Sequence, residues 1–152
     1  MRELDATLPD FDNDPRFTGP VSGRHIAPDE DPQLHAYVVR FGASGRTAWH
    51  THERGQLLVC TAGRGYVVTR GGAIIELRPG VAAWADAGEL HWHGAGPDGP
   101  MSHVAVQTET PGGGGVDWQQ AVSASEWAAA MRSIPTRRAV TSATPSSPTL
   151  EL

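Results

Sequence analysis

The sequence predicts an all-β protein, a single antiparallel barrel or double-sheet jelly roll that ends in one short helix. Glycine (18 residues) and proline (12) are frequent in the chain of 152 residues, which favours short strands joined by turns over a helical bundle. Short apolar or alternating stretches also follow one another at hairpin spacing, as in jelly rolls. The length suits one domain with its own hydrophobic core.

The predicted strands lie between residues 34 and 108, and residues typical of turns separate them. Gly71-Gly72 predicts a tight hairpin, and Pro79-Gly80 predicts a further turn. The first convincing strand begins at Leu34. In chain order the predicted strands cover residues 34–41, 47–52, 56–61, 66–70, 73–78, 81–85, 91–93 and 101–108.

The flanks of this strand-rich region are predicted to carry little structure. Residues 1–16 are expected to form a flexible N-terminal arm, because aspartates and prolines interrupt any periodicity and little there could be buried. The barrel domain with its helix is assigned to residues 17–132, with a turn-rich start at 17–32. Residues 133–152 are expected to be a disordered tail, because serine, threonine, proline and arginine dominate them.

One helix is predicted near the end of the barrel domain. Ser123 or Ser125 is a suitable N-cap, and the helix would run through Trp127 to Met131. Because a helix of this size usually packs across the outside of a barrel, Trp118 and Trp127 are expected to anchor it there.

Charge and composition narrow the possible partners. A net charge of −5 provides no basic surface, so nucleic acid and anionic membranes are not expected as partners. Cys60 is the single cysteine, which excludes an intrachain disulfide framework. The first residues lack the apolar segment of a signal peptide and no run reaches transmembrane length, so a cytoplasmic location is the default expectation.

Two His-x-His pairs are the most informative pattern in the chain. His50 and His52 form the first pair, and His91 and His93 form the second. In an extended strand both imidazoles of such a pair lie on one face, because side chains alternate with period two. One such pair alone is more often a pair of solvent-exposed residues than a pair of ligands. Two pairs on neighbouring strands, however, could enclose one cation.

Gln56 completes a candidate set of metal ligands. It opens the strand after the first pair, and its amide oxygen could reach the same point as the imidazoles of His50, His52 and His91. Such a set leaves positions open for water or substrate, as in a catalytic rather than a structural site. The alternative is that Gln56 only caps a turn. Imidazole suits several divalent metals, so the ligands alone do not select one.

A glutamine in this position has a chemical meaning. Neutral histidines and a neutral Gln56 leave a bound divalent ion with its full charge, whereas a carboxylate would lower that charge. The higher charge makes a stronger Lewis acid and attracts an anion such as an alkoxide or cyanide. It also argues against redox chemistry that depends on electron donation from a carboxylate.

The remaining histidines receive different interpretations. His93 shares the strand face of His91 but lies one further step along the strand, and it is assigned as a general base. A fifth ligand or a solvated histidine is the alternative for His93. His25 and His35 are interpreted as surface residues.

The spacing Gly45-x4-His50-x-His52-x3-Gln56-x6-Gly63 resembles the first sequence motif of the cupins. This resemblance implies a small β-barrel, often dimeric, that holds a divalent metal on three histidines and usually one glutamate. Two features depart from the usual pattern. The first glycine lies one place closer to the histidines, and Gln56 replaces the glutamate.

The spacing Gly80-x5-Asp86-x-Gly88-x2-His91 resembles the second cupin motif. Here Asp86 stands where proline is usual, and Ala95 stands where the motif usually closes with asparagine. Together the two motifs imply a single-domain cupin β-barrel, which agrees with the jelly roll predicted from strand spacing.

Several stretches spread over most of the chain carry a narrower resemblance: Phe17-Thr18-Gly19, Arg46 to His52, Gly55-Gln56, His91 to Gly94, Met101-Ser102-His103 and Val116-Asp117-Trp118. They are similar to bacterial cupins that include manganese-dependent hydroxynitrile lyases. The resemblance implies one divalent metal ion, with manganese expected and iron, zinc or nickel as alternatives. It also implies that Gln56 is the fourth ligand and that His93 stands beside the metal as a base.

The same resemblance implies a substrate pocket inside the barrel. Pleat parity places His103 and Gln107 on one face of their strand, and Tyr37 and Val39 on one face of another. These four residues and Thr47 are the expected substrate-binding residues. For each of them, a packed or solvent-facing barrel position is the alternative.

The resemblance implies an enzyme, a metal-dependent lyase that cleaves or forms cyanohydrins from a small hydroxyl or carbonyl substrate. Two other classes stay open. One is an Fe(II)-dependent oxygenase or cyclase of secondary metabolism that uses the same ligands, and the other is a non-catalytic protein that binds a small molecule. Apolar edge strands favour a homodimer.

Overall fold

The structure is a computed structural model that describes residues 7–28 and 30–134. No helix in these two ranges is long and apolar enough to cross a membrane. The elements in chain order are β1 (Phe17–Thr18), β2 (Val21–His25), β3 (Leu34–Phe41), β4 (Arg46–Thr47), β5 (His50–His52), β6 (Gln56–Gly63), β7 (Gly65–Thr69), β8 (Ile74–Leu77), β9 (Ala82–Ala85), β10 (His91–Ala95), β11 (Met101–Thr108), β12 (Val116–Trp118) and α1 (Ala124–Ser133).

The strands form two antiparallel sheets. One sheet has seven strands in the order β1-β4-β10-β5-β12, with β7 paired to β10 and β8 paired to β7. The other has five strands in the order β2-β3-β11-β6-β9. The prediction of an all-β, double-sheet jelly roll with one short C-terminal helix is therefore confirmed.

The hydrophobic core lies between the two sheets. Phe41, Leu58 and Leu77 are fully buried there. The first five residues of β6 and of β11 alternate between buried and half-buried positions, as expected of strands with one face toward a core. The same alternation turns polar residues of these strands inward, which makes a polar site possible within an apolar barrel.

The segment before β1 differs from the predicted flexible arm. The Phe11 N–H donates to the carbonyl of Val21 at 2.8 Å, and the Gly23 N–H donates to the carbonyl of Pro9 at 3.0 Å. The Phe11 ring also packs against the core. Phe11 is the one aromatic residue among residues 7–16, and docking on the barrel removes part of its ring from water.

The region predicted to be turn-rich, residues 17–32, contains two strands that the sequence did not predict. β1 pairs with β4, and β2 pairs with β3. Within β2 the buried positions are Val21 and Gly23, so its inner face carries little of the apolar alternation on which strand prediction depends.

The helix begins at one of its predicted caps and ends at Ser133 rather than at Met131. Ser123 is the N-cap, and its hydroxyl accepts from the Glu126 N–H while the Glu126 carboxylate accepts from the Ser123 N–H. Trp127 packs in a cluster outside the main core, as predicted. Ser133, which was assigned to the predicted tail, belongs to the helix. Residues 135–152 of that tail and residues 1–6 of the predicted arm lie outside the described residues.

Candidate metal site and substrate pocket

Neighbouring strands of the seven-stranded sheet carry the two histidine pairs. β5 carries His50 and His52, β10 carries His91 and His93, and all four side chains are buried. His50 and His91 are paired directly across the two strands, and their ring centroids lie 4.4 Å apart. Period-two alternation therefore turns both pairs to the same inner face.

The imidazoles form one cluster. The ring centroids of His50 and His52 are 5.0 Å apart, and those of His52 and His91 are 5.5 Å apart. Ring nitrogens of His50, His91 and His93 all lie within 4.8 Å of one another. A single cation could contact nitrogens from three rings in this arrangement.

Gln56 reaches this cluster from the opposite sheet. It is the first residue of β6 and is buried, and its Oε1 atom lies 3.2 Å from Nε2 of His91. Its Nε2 atom donates to Oε1 of Gln107 on β11 at 3.0 Å. This second hydrogen bond orients the amide with its oxygen toward the histidines.

Backbone carbonyls fix which nitrogen of two imidazoles carries the proton. Nδ1 of His50 lies 2.9 Å from the carbonyl oxygen of Ala48, and Nδ1 of His91 lies 2.8 Å from that of Glu89. A carbonyl oxygen can only accept, so each Nδ1 donates and each Nε2 keeps a lone pair. Nε2 of His91 and Oε1 of Gln56 are then two acceptors that face each other, as ligands of one cation do.

His52 gives an independent indication of the same kind. Both of its ring nitrogens are buried and have no hydrogen-bond partner among the described residues. A buried polar atom without a partner costs free energy, and native structures contain few of them. A cation bound by the imidazole cluster would give His52 the partner that its surroundings lack.

Burial holds the clustered histidines in the neutral form that ligation requires. Loss of hydration, followed by the repulsion of His91, lowers the pKa of His52 to about 4. Burial likewise lowers the pKa of His50 and of His93 well below the usual value. The donor set therefore fits a divalent cation. Nitrogens of His50, His91 and His93 lie close enough to share one, and His52 and Gln56 adjoin them.

A cavity of about 440 Å³ adjoins this cluster. His91 is fully buried and is absent from its lining, whereas His50, His52, Gln56 and His93 border it. The residues predicted to bind substrate all line it as well: Tyr37, Val39, Thr47, His103 and Gln107. The sheets thus bring every predicted site residue to the cluster or to its cavity.

His93 belongs to the imidazole cluster and also contacts His103, a further cavity residue. Its Nδ1 atom is 3.2 Å from Nε2 of His103, and its backbone N–H donates to Oγ1 of Thr47 at 3.1 Å. Because His93 is as close to His50 and His91 as a ligand would be, distance does not separate a ligand from a base. The assignment of His93 as a base stays a prediction.

Several cavity residues were missed by sequence reasoning. Trp118 was expected outside the barrel, but its ring lies 4.5 Å from that of His50 and lines the cavity. His25 is exposed, as its interpretation as a surface residue expected, and it also borders the cavity. Phe11 and Phe17 complete this part of the wall. Val116 and Trp118 lie two residues apart on one short strand. This spacing could have placed both side chains on the same, inner face.

Fold and site together define the class of protein. The sequence profile described as Cupin domain matches residues 37–107. A known protein is also closely similar to this chain over most of its length. The chain therefore belongs to the cupin family. This relative is an (R)-mandelonitrile lyase from Granulicella tundricola, 44% identical over 112 residues, which are 73% of this chain and 85% of that protein.

Solved structures agree with this family. A cupin-like protein from Thermotoga maritima has a TM-score of 0.72 and 32% identity, and the match covers 78% of this chain and 90% of that one. The polyketide cyclase RemF from Streptomyces resistomycificus has a TM-score of 0.62 and 20% identity, with 84% and 90% covered. At that identity the cyclase shares the fold alone.

Proposed function

We propose that the chain is a metal-dependent lyase that cleaves cyanohydrins, or forms them in the reverse direction. The observation that carries the proposal is the set of facing acceptor atoms around His91 and Gln56, beside a cavity that His93 also borders. The 44% identity to a protein named (R)-mandelonitrile lyase supports this substrate class.

The ligands proposed for the metal are His50, His52, Gln56 and His91, and the metal proposed is manganese, with iron, zinc or nickel as alternatives. A bound divalent ion would supply a Lewis-acid charge at the inner end of the cavity. The neutral amide of Gln56 leaves that charge unreduced, which favours a developing alkoxide or a leaving cyanide.

His93 is the proposed base. Its Nδ1 atom lies 3.2 Å from Nε2 of His103. In the tautomer in which Nδ1 donates to His103, Nε2 of His93 keeps the lone pair that a substrate proton needs. Burial keeps the ring neutral, because the pKa of His93 lies well below its usual value. The ring can therefore accept the hydroxyl proton of a cyanohydrin.

Proton and electrons balance in the proposed step. As His93 takes the hydroxyl proton, the O–H electron pair forms the carbonyl double bond and the bond to the nitrile carbon breaks. Cyanide leaves with that bonding pair. It then takes the proton back from His93, so that an aldehyde and HCN are the products. A cavity of about 440 Å³ is large enough for a small aromatic cyanohydrin.

The proposal extends to the setting of the enzyme. We propose a small-molecule substrate, a cytoplasmic location, no nucleic-acid or membrane partner, and a homodimer. Support for the homodimer comes from the edge strand β9, where the side chain of Trp84 is 55% exposed.

The test is the release of benzaldehyde from mandelonitrile by the full-length chain loaded with manganese and purified without a histidine tag. We expect a rate well above that of the same concentration of manganese salt, with no oxygen consumed. A rate equal to the salt background would contradict the proposal. Oxygen uptake would favour an oxygenase, and binding without turnover would favour a non-catalytic binding protein.

A further inference from the structure

We infer that Phe11 is a substrate-binding residue that packs against the aromatic ring of the substrate. It would thereby give the pocket a preference for aromatic over short aliphatic cyanohydrins. The inference rests on the proposed lyase function. Phe11 belongs to the segment of residues 9–16 that precedes β1, here termed the N-terminal strap.

The N-terminal strap connects the two sheets at the cavity. Near its start, the carbonyl of Pro9 accepts from the Gly23 N–H in the five-stranded sheet. At its end, the carbonyl of Arg16 accepts from the Ala48 N–H at 2.7 Å, and β1 then joins the seven-stranded sheet. Three strap residues, Pro9, Phe11 and Arg16, line the cavity as a result.

Contacts within the strap hold its turn. The Asp14 N–H donates to the carbonyl of Phe11 at 3.2 Å, and the Phe17 N–H donates to that of Asp14 at 3.0 Å. Nε of Arg16 donates to Oδ1 of Asp14 at 2.9 Å. Because this pair offsets the charge of Arg16, the strap favours a neutral ligand over an anion.

A row of aromatic rings leads from the strap to the candidate metal ligands. The rings of Phe11 and Phe17 are stacked, with centroids 4.9 Å apart and planes 12° apart. The Trp118 ring lies 6.1 Å from that of Phe17 and 4.5 Å from that of His50. Phe11, Phe17 and Trp118 are only partly buried and border the cavity, so they offer apolar surface to a further ring.

Gly23 shows that the barrel has room for the ring at this position. A Cβ atom on Gly23 would lie 3.1 Å from Cε2 of Phe11 and 2.8 Å from the carbonyl oxygen of Val38. The absence of a side chain on β2 therefore lets the Phe11 ring lie directly on the backbone. The ring also stacks on Phe17, and it still borders the cavity.

The test compares mandelonitrile with lactonitrile, whose methyl group replaces the phenyl ring. For Phe11→Ala in the metal-loaded chain we expect the KM for mandelonitrile to rise about tenfold, from the loss of roughly 50 Å² of apolar contact. The kcat for mandelonitrile and the KM for lactonitrile should change by less than about twofold. Asp12→Ala, an exposed residue of the same strap, is the matched control and should behave as wild type.

A similar rise in KM for both substrates, or a loss confined to kcat, would overturn the inference. Phe11→Leu keeps apolar volume on Gly23 without a planar ring, and it provides the same comparison if Phe11→Ala does not fold. A smaller rise for mandelonitrile alone is expected of Phe11→Leu, and no rise would count against the role of the ring.

A binding measurement separates this inference from the lyase proposal. Saturation-transfer NMR compares benzyl alcohol with 1-propanol on the full-length chain and needs no turnover. If no cyanohydrin is cleaved but benzyl alcohol binds and Phe11→Ala weakens that binding, the lyase proposal fails and the inference about Phe11 stands. Equal binding of benzyl alcohol to wild type and to Phe11→Ala overturns the inference whether or not the chain is a lyase.

Discussion

His50 and His91 make the same local contact, and it suits both of them to the ligand role proposed above. In each case Nδ1 donates to the carbonyl two residues earlier, on Ala48 and Glu89, which leaves Nε2 free. The His-x-His spacing could predict that both imidazoles of each pair lie on the same face of their strand, because the strand period is two. The tautomers could not be predicted, since they depend on backbone carbonyls whose direction is known only once the strands are formed.

Replacement of His93 tests the division of roles within the imidazole cluster. For His93→Ala we expect a fall in kcat of about 100-fold or more, because a positioned base typically contributes that much, while the metal content per chain stays unchanged. Metal analysis and cyanohydrin cleavage on the same sample measure both. His35→Ala, a histidine away from the cavity that pairs with Glu109, is the control and should keep both properties.

The two quantities separate the alternatives for His93. Loss of metal together with activity would show that His93 is a ligand, and unchanged activity would show that it has no part in the reaction.

At the scale of the secondary-structure elements, turns between strands position the candidate ligands. Gly55, with φ of 84°, closes the turn between β5 and β6 and directly precedes Gln56. A Cβ atom there would lie 2.5 Å from Cζ2 of Trp84 and 2.6 Å from the carbonyl oxygen of Ala85. Both the backbone conformation and the space therefore require glycine at this turn.

We expect Gly55→Ala to lower the free energy of unfolding by about 3 kcal/mol, from the left-handed backbone and the steric contact together. Gly80→Ala is the matched control, since Gly80 has φ of 86° but no atom within 4 Å of the added Cβ. It should lose only about 1 kcal/mol. Urea unfolding of both variants measures the difference, and equal losses would show that the contact with Trp84 has no energetic weight.

Strand prediction succeeded or failed according to where the apolar residues lie. β3, β6 and β11 carry long apolar or alternating stretches and were predicted close to their observed bounds. β2 escaped prediction because its inner face carries Gly23. The N-terminal strap escaped because Phe11 is partly buried by contacts with β1 and β2, which its own segment does not reveal. Such burial depends on a distant segment, so local periodicity contains no sign of it.

At the scale of the whole molecule, the candidate site exists only because two sheets face each other. The seven-stranded sheet contributes the histidine pairs, and the five-stranded sheet contributes Gln56, His103 and Gln107. The family motifs could predict most of these residues one by one. They could not predict that His103 contacts His93, or that Gln107 orients Gln56, because both contacts depend on strand register.

Stepwise addition of manganese to the chelator-treated chain tests the central claim most directly, with bound metal and benzaldehyde release from mandelonitrile measured at each step. We predict that the stripped chain is inactive and that the rate rises in proportion to bound metal, reaching its maximum at about one ion per chain. Full activity in the stripped chain, or a rate that follows free metal without saturating, would contradict the claim that the imidazole cluster and Gln56 form a catalytic metal site.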